Sequence, residues 1–142
     1  IHLDVEPHTF EDWDERKDYY QQNYIKMLQQ MSGLLDDLNH QITVSIPVTY
    51  DQNFLKKIKA NTRRLYVMAY GTKSIDTIKQ RTENERRLTP ITLALRTGDF
   101  NDRVALENFM TKLYDKLDIK QIAIQDLGGL IKLDDEAINY SN

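Results

Sequence analysis

The chain has 142 residues, 40% of them hydrophobic and 29% charged, with 19 basic against 22 acidic side chains and a net charge of −3. That is the size and balance of one globular domain, not of a disordered or collagen-like chain, and the acidic excess argues against a general nucleic-acid binder, which needs a basic face. The absence of cysteine excludes disulfides, thiolate metal sites and cysteine nucleophiles but leaves the compartment open, secreted or periplasmic included, and no apolar run approaches the roughly 20 residues of a membrane helix.

Two periodicities alternate along the chain. Ile1–Pro7 reads as a strand, with Leu3 and Val5 on one face and His2, Asp4 and Glu6 on the other. Helical spacing follows from Glu15 to Leu38, where Tyr20, Tyr24, Met27, Leu28, Met31, Leu34, Leu35 and Leu38 recur at steps of three or four. The second strand, Ile42–Pro47, separates Val44 and Ile46 from Thr43 and Ser45, and a short helix after Asp51 gathers Phe54, Leu55 and Ile58. The third strand, Leu65–Tyr70, sets Leu65, Val67 and Ala69 against Tyr66, Met68 and Tyr70. A helix begins near Ser74 with Ile75 and Ile78 inward and a polar end at Lys79–Arg87. The fourth strand, Ile91–Arg96, opposes Leu93 and Leu95 to Thr92, Ala94 and Arg96. Asn101 or Asp102 can then cap a helix to Leu117, with Val104, Leu106, Phe109, Met110, Leu113 and Leu117 inward. The fifth strand, Gln121–Asp126, sets Ile122 and Ile124 against Ala123 and Gln125, and a last weak helical segment spans Asp134–Tyr140.

Strand–helix–strand order implies right-handed crossovers and a parallel sheet. Two α/β architectures produce it: an open doubly wound parallel sheet, or part of a (β/α)8 barrel. Strands covered on both faces are apolar at nearly every position, and these are not. One face is aliphatic throughout; the other is small, polar or aromatic, like a barrel lining. The expected fold is a single domain over residues 1–142, a partial TIM barrel of about strands 4–8 with their helices. Five units are not eight, so the remaining three are expected to be missing from a trimmed chain, supplied elsewhere, or replaced by a partner in a homo-oligomer. An open half-barrel exposes two strand edges.

Barrel active sites gather at the C-terminal strand ends. Those ends carry Asp4 and Glu6 with Pro7-His8, then Tyr50-Asp51, Tyr70 after Met68, Arg96 with Asp99, and Gln125-Asp126. Carboxylates, tyrosines, an amide and an arginine suit a hydroxyl-rich ligand such as a sugar, with stacking from Tyr50, Tyr70 and Trp13. Asp4 and Glu6 stand two apart, so on a strand both point the same way. Close carboxylates repel, which raises one pKa and supplies the protonated acid a glycosidase needs; equally, such a pair can anchor neighbouring strands by hydrogen bonds. No cofactor is expected. Gly71–Ser74 is too short for a phosphate loop and reads as a turn capped by Ser74, and Gly128-Gly129 lacks a spaced third glycine. His2, Asp4, Glu6 and His8 lie on one strand with no second ligand-bearing strand, which leaves no metal site. Arg63-Arg64 and Arg86-Arg87 precede strands at the opposite end, where they read as solvated, with anion binding as the other use.

His2–His8 resembles the fourth-strand signature of glycoside-hydrolase barrels, in particular the end of the Asp-x-x-Asp-x-Asp-x-Glu motif of family 18 chitinases, matched by Asp4 and Glu6. Tyr66–Gly71 is similar to the sixth-strand Met-x-Tyr element of those enzymes, here Met68 and Tyr70, and Val44-Ser45-Ile46-Pro47 fits the intervening strand. The resemblance implies the later half of a family-18-like or related bacterial carbohydrate-active barrel, with Glu6 as general acid/base. It also implies Asp4 as the residue orienting a substrate N-acetyl group, whose carbonyl attacks the anomeric carbon, and Tyr70 as a contact to that group. The tryptophan of the family's last strand has no match in Gln121–Asp126, where Gln125 stands, so chitin itself is not implied. Glu6-Pro7 also resembles the acid/base strand of the large retaining clan, but Thr92–Arg96 lacks that clan's second glutamate and Asp99 lies in the following loop. Substrate assistance is therefore expected over a carboxylate nucleophile.

The expectation is thus a glycoside hydrolase acting on a polysaccharide, N-acetylated if the resemblance holds, with Glu6 and Asp4 catalytic and Tyr70, Tyr50, Asp51, Met68, Arg96, Gln125 and Asp126 binding substrate. Two other readings stand beside it: a non-catalytic polysaccharide-binding or assembly domain on a degenerate barrel, and an open flavodoxin-like regulator or nucleotide binder. No nucleic-acid partner and no membrane span are expected.

Overall fold

An aliphatic residue at every second strand position gives each strand one face to bury. In the computed structural model, which describes residues 1–36 and 38–139, that face sets the architecture. Five parallel strands lie side by side in chain order: β1 (His2–Leu3), β2 (Thr43–Pro47), β3 (Arg64–Met68), β4 (Thr92–Arg96) and β5 (Ile122–Gln125). The sheet curls into a half-barrel flanked by helices. These are α1 (Lys17–Asp36), α2 (Gln52–Ala60), α3 (Ile75–Arg81), α4 (Glu83–Leu88), α5 (Arg103–Leu117) and α6 (Leu127–Asn139). A doubly wound sheet reverses its strand order at a switch point; this order has no reversal, and successive right-handed crossovers then carry their helices to one face. No described helix is long and apolar enough to cross a membrane.

The convex layer is the core. Val44, Ile46, Leu65, Val67, Leu93 and Leu95 are buried beneath Leu28 of α1, Phe54, Leu55 and Ile58 of α2, Ile78 of α3 and Leu113 of α5. Truncating one of these to alanine removes about 2–5 kcal/mol. On the concave face Thr43, Ser45, Tyr66 and Met68 are half-buried, and His2 lies within hydrogen-bond distance of Thr43 Oγ1 (2.9 Å) and Ser45 Oγ (3.0 Å), its ring edge-on to Tyr66. Helices start where a short acceptor can satisfy their free N–H groups: Asp51 accepts from Phe54, Ser74 from Thr77 and Asp102 from Ala105.

Several elements differ from their sequence reading. The first strand is only His2–Leu3, because β1 has one partner, β2, and the chain turns into a 3-10 turn at Pro7–Thr9, where Pro7 has no N–H to give a ladder. The helix expected from Ser74 to the Lys79–Arg87 stretch breaks at Thr82, whose buried hydroxyl donates to the Ile78 carbonyl at 2.8 Å. The last helix begins at Leu127, earlier than expected; Tyr140 lies outside the described residues. Leu34, Leu38 and Val104, expected inward, are exposed.

One core group is out of place electrostatically. Glu85 is 1% exposed, and neither carboxylate oxygen has a hydrogen-bond partner among the described residues. Burial pushes its pKa up. A carboxyl raised by folding contributes stability fully below its unfolded pKa and loses it as pH rises through the folded value. The protein is therefore expected to weaken as pH climbs out of the acidic range, and Glu85→Met to remove that slope and add about 1–3 kcal/mol near pH 7. Urea melts of both proteins from pH 4 to 8 check this; parallel pH profiles refute it.

Candidate functional site

Because the strands are parallel and in register, their C-terminal ends form one rim. Asp4 follows β1 exposed to solvent, and Glu6 is half-buried just before the Pro7–Thr9 turn. Both lie past the end of the strand, so strand alternation does not orient them; the turn does, through bonds from the Thr9 N–H and hydroxyl to the Glu6 carbonyl at 3.0 and 2.7 Å. Glu6 Oε2 stands 3.6 Å from His8 Nε2, and His8 Nδ1 lies 3.3 Å from the Tyr50 hydroxyl.

Tyr70 is the meeting point. It follows β3, half-buried, and burial pushes its hydroxyl pKa up, as do the charges of Asp4 and Glu6. The hydroxyl therefore stays protonated, within the field of both carboxylates. The Arg96 guanidinium, at the end of β4, lies 5.9 Å from the centre of the Tyr70 ring. Asp99 ties these ends together: its Oδ2 accepts the Gly71 N–H at 2.8 Å, and its Oδ1 accepts from Arg96 Nη2 at 2.8 Å. Burial raises the Asp99 pKa, but the bonds from Arg96 and Gly71 outweigh it and hold the carboxyl below its ordinary value. Gly71 takes φ of +76°, a backbone state that L side chains rarely adopt.

Other expected site residues are placed differently. Tyr50 is 4% exposed, packed edge-on to His8 and Phe54 and beside Trp13. Its ring has no face open for a sugar, which corrects the expectation of stacking there. Burial also lifts its hydroxyl pKa strongly, with smaller contributions from Tyr24 and Glu6. Asp51 caps α2 and meets Lys17 at 3.6 Å and Gln21 at 3.4 Å. Trp13 lies half-buried between Tyr20 and Tyr50; the aromatic rings open to solvent near this loop are Phe10 and Tyr19, each 53% exposed. Met68 ends β3 on the concave face, level with Ala94. Gln125 is in register with Arg96 and exposed, and its side chain makes no hydrogen bond among the described residues. Asp126 takes φ of +76° and turns its carboxylate toward Gly128 and Gly129. A Cβ on Gly129 would collide with Thr97 and Asp126, so this glycine lets α6 approach the loop after β4.

The rim thus joins Asp4, Glu6, Tyr70, Arg96 and Asp99, while Tyr50 and Asp51 serve the scaffold. Two residues that the sequence places at the strand ends, His8 and Asp99, gain their partners only in the fold: His8 lies beside Glu6 and the Tyr50 hydroxyl, and no group of three or more His, Asp or Glu side chains able to hold a metal forms among the described residues. Asp99 gained its role from the adjacency of β3 and β4, which only the fold supplies. Tyr24 lies beneath: its buried hydroxyl has no partner among the described residues, and burial, then the Asp4 charge, lifts its pKa to about 12.

No family model matches this chain, and no curated protein or solved structure shows significant similarity to it.

Replacing Asp99 by alanine leaves the Gly71 N–H and the Arg96 guanidinium without their shared acceptor. The expected loss is about 1–3 kcal/mol of stability, present at neutral pH and fading as pH falls through the lowered folded pKa, since a depressed carboxyl contributes only above its unfolded value. Thermal melts at pH 7 and pH 3 check it; an equal difference at both refutes it. Gly129→Ala is expected to cost about 1–3 kcal/mol through overpacking against Thr97, read as a lowered urea midpoint.

Proposed function

We propose that this chain is the later half of a glycoside-hydrolase-like (β/α)8 barrel that acts on an N-acetylated polysaccharide. The observation that supports the reading is the placement of Asp4 and Glu6 after β1 and of Tyr70 after β3, at the C-terminal end of one parallel sheet, where barrel enzymes keep their chemistry. In this reading Glu6 protonates the departing glycosidic oxygen. Asp4 orients the substrate's acetamido group, whose carbonyl oxygen attacks the anomeric carbon as the leaving oxygen takes the proton. Tyr70, kept neutral by burial and by the two carboxylates, donates to the acetamido oxygen. Arg96 and Asp99 hold the tyrosine ring and the β3 end in place.

A second reading, polysaccharide binding without cleavage, is favoured by the open five-stranded sheet: among the described residues β1 and β5 each pair on one side only. A half-barrel exposes its polar lining without surrounding a substrate.

Glu6→Gln in the intact natural protein separates the two. Under the first reading, turnover of N-acetylated oligosaccharides falls about 10²–10⁴-fold with the melting temperature preserved. Unchanged turnover overturns Glu6 as the acid. Saturable oligosaccharide binding with no turnover in the unaltered protein selects the second.

A further inference from the structure

At the end of the sheet opposite the rim, the start of β3 and the loops leading into β4 and β5 enclose a cavity of about 630 Å³, within the range of small-molecule sites. Four basic side chains line it, Arg64, Arg86, Arg87 and Lys120, against a single acid, Asp118. The protein as a whole carries a net charge of −3, so this concentration of positive charge runs against its composition.

Helix geometry explains part of it. Arg86 and Arg87 occupy the last turn of α4, where cations complement the macrodipole, and Arg86 Nη2 donates to the Leu117 carbonyl at the end of α5, 3.1 Å away. Arg87 also pairs with Glu83 on its own helix, and Lys120 with Asp118. Arg64 has no such reason. It belongs to a strand, on the half-buried concave face, and makes no ion pair or hydrogen bond among the described residues. A guanidinium cannot shed its charge, and a half-buried one without a partner calls for an anion.

The cavity floor is apolar: Ile91, Leu117 and Ile119 are buried beneath it. A basic wall over an apolar floor fits an organic molecule bearing a compact, multiply charged oxyanion. Arginine forks match phosphate oxygens two at a time.

We propose that this cavity binds a small phosphorylated molecule, its phosphate held by Arg64 and Arg86 with Arg87 and Lys120 as outer charges. The site is independent of the sugar chemistry proposed at the rim and stands if that reading fails.

Titration of the intact chain with inorganic pyrophosphate at about 0.15 M salt, followed by amide NMR, tests it. Saturable shifts confined to residues 64, 86–91 and 117–121 are expected, with binding at least tenfold weaker in Arg64→Gln. Arg87→Gln, on an exposed helix surface, is expected to weaken binding several-fold without disturbing the core, so a folding defect in Arg64→Gln leaves the test intact. Lys116→Gln, at the same end of the molecule but outside the cavity, is expected to bind as the unaltered chain does. Non-saturable shifts, an equal loss in Lys116→Gln, or no response to pyrophosphate overturns the proposal.

Discussion

The molecule depends on one register choice, made the same way in each strand pair. Val44 lies level with Leu65, Ile46 with Val67, Val67 with Leu93, and Leu93 with Ile122, so every aliphatic residue faces the helices together. Because side chains alternate, a slip of one residue in any pairing would exchange these for Ser45, Tyr66 or Ala94. Hydroxyls would then lie unpaired beneath the helices, at about 1–3 kcal/mol each, and aliphatic surface worth about 25 cal/mol per Å² would turn to water. The same register levels the strand ends. That is why side chains as far apart in the chain as Glu6, Tyr70 and Arg96 meet at one rim.

Strand direction adds an electrical polarity. Each helix returns antiparallel to the strands, so helix N-termini collect at the rim and C-termini at the base. Acceptors follow the first: Asp51, Ser74 and Asp102 cap their helices there. Cations follow the second: Lys57, Lys59, Arg81, Arg86, Arg87 and Lys116 occupy last turns. Both placements complement the helix dipoles. The acidic rim and the basic cavity are thus two ends of one directional choice, and Arg64, which no dipole explains, stands out against that background.

Much of this was legible beforehand because it rests on local periodicity. Strands β2 to β5 were visible from alternation, and the capping residues from their position before apolar runs. Asp4 and Glu6 follow β1 and Tyr70 follows β3, a common end of the sheet that parallel order makes readable from the strand boundaries. What stayed hidden depends on neighbours remote in sequence. β1 stops at Leu3 because it is an edge, which its own residues do not reveal. Tyr50 at a strand end reads the same whether open or enclosed; His8, Trp13 and Phe54 decide it. Gly129 is a poor helix former by propensity, yet its close packing against Thr97 inside α6 overrides that cost.

Spatial order equal to chain order also has a kinetic side. Each new strand emerging during synthesis finds its partner already in place, one crossover behind it, and none must wait for a distant segment. Short loop closures of this kind keep the entropy of each pairing step small. Assembly of these five strands can therefore advance unit by unit from the β2–β3 pair outward, as in a repeat array, with the two-residue β1 and the four-residue β5 contributing the shortest pairings.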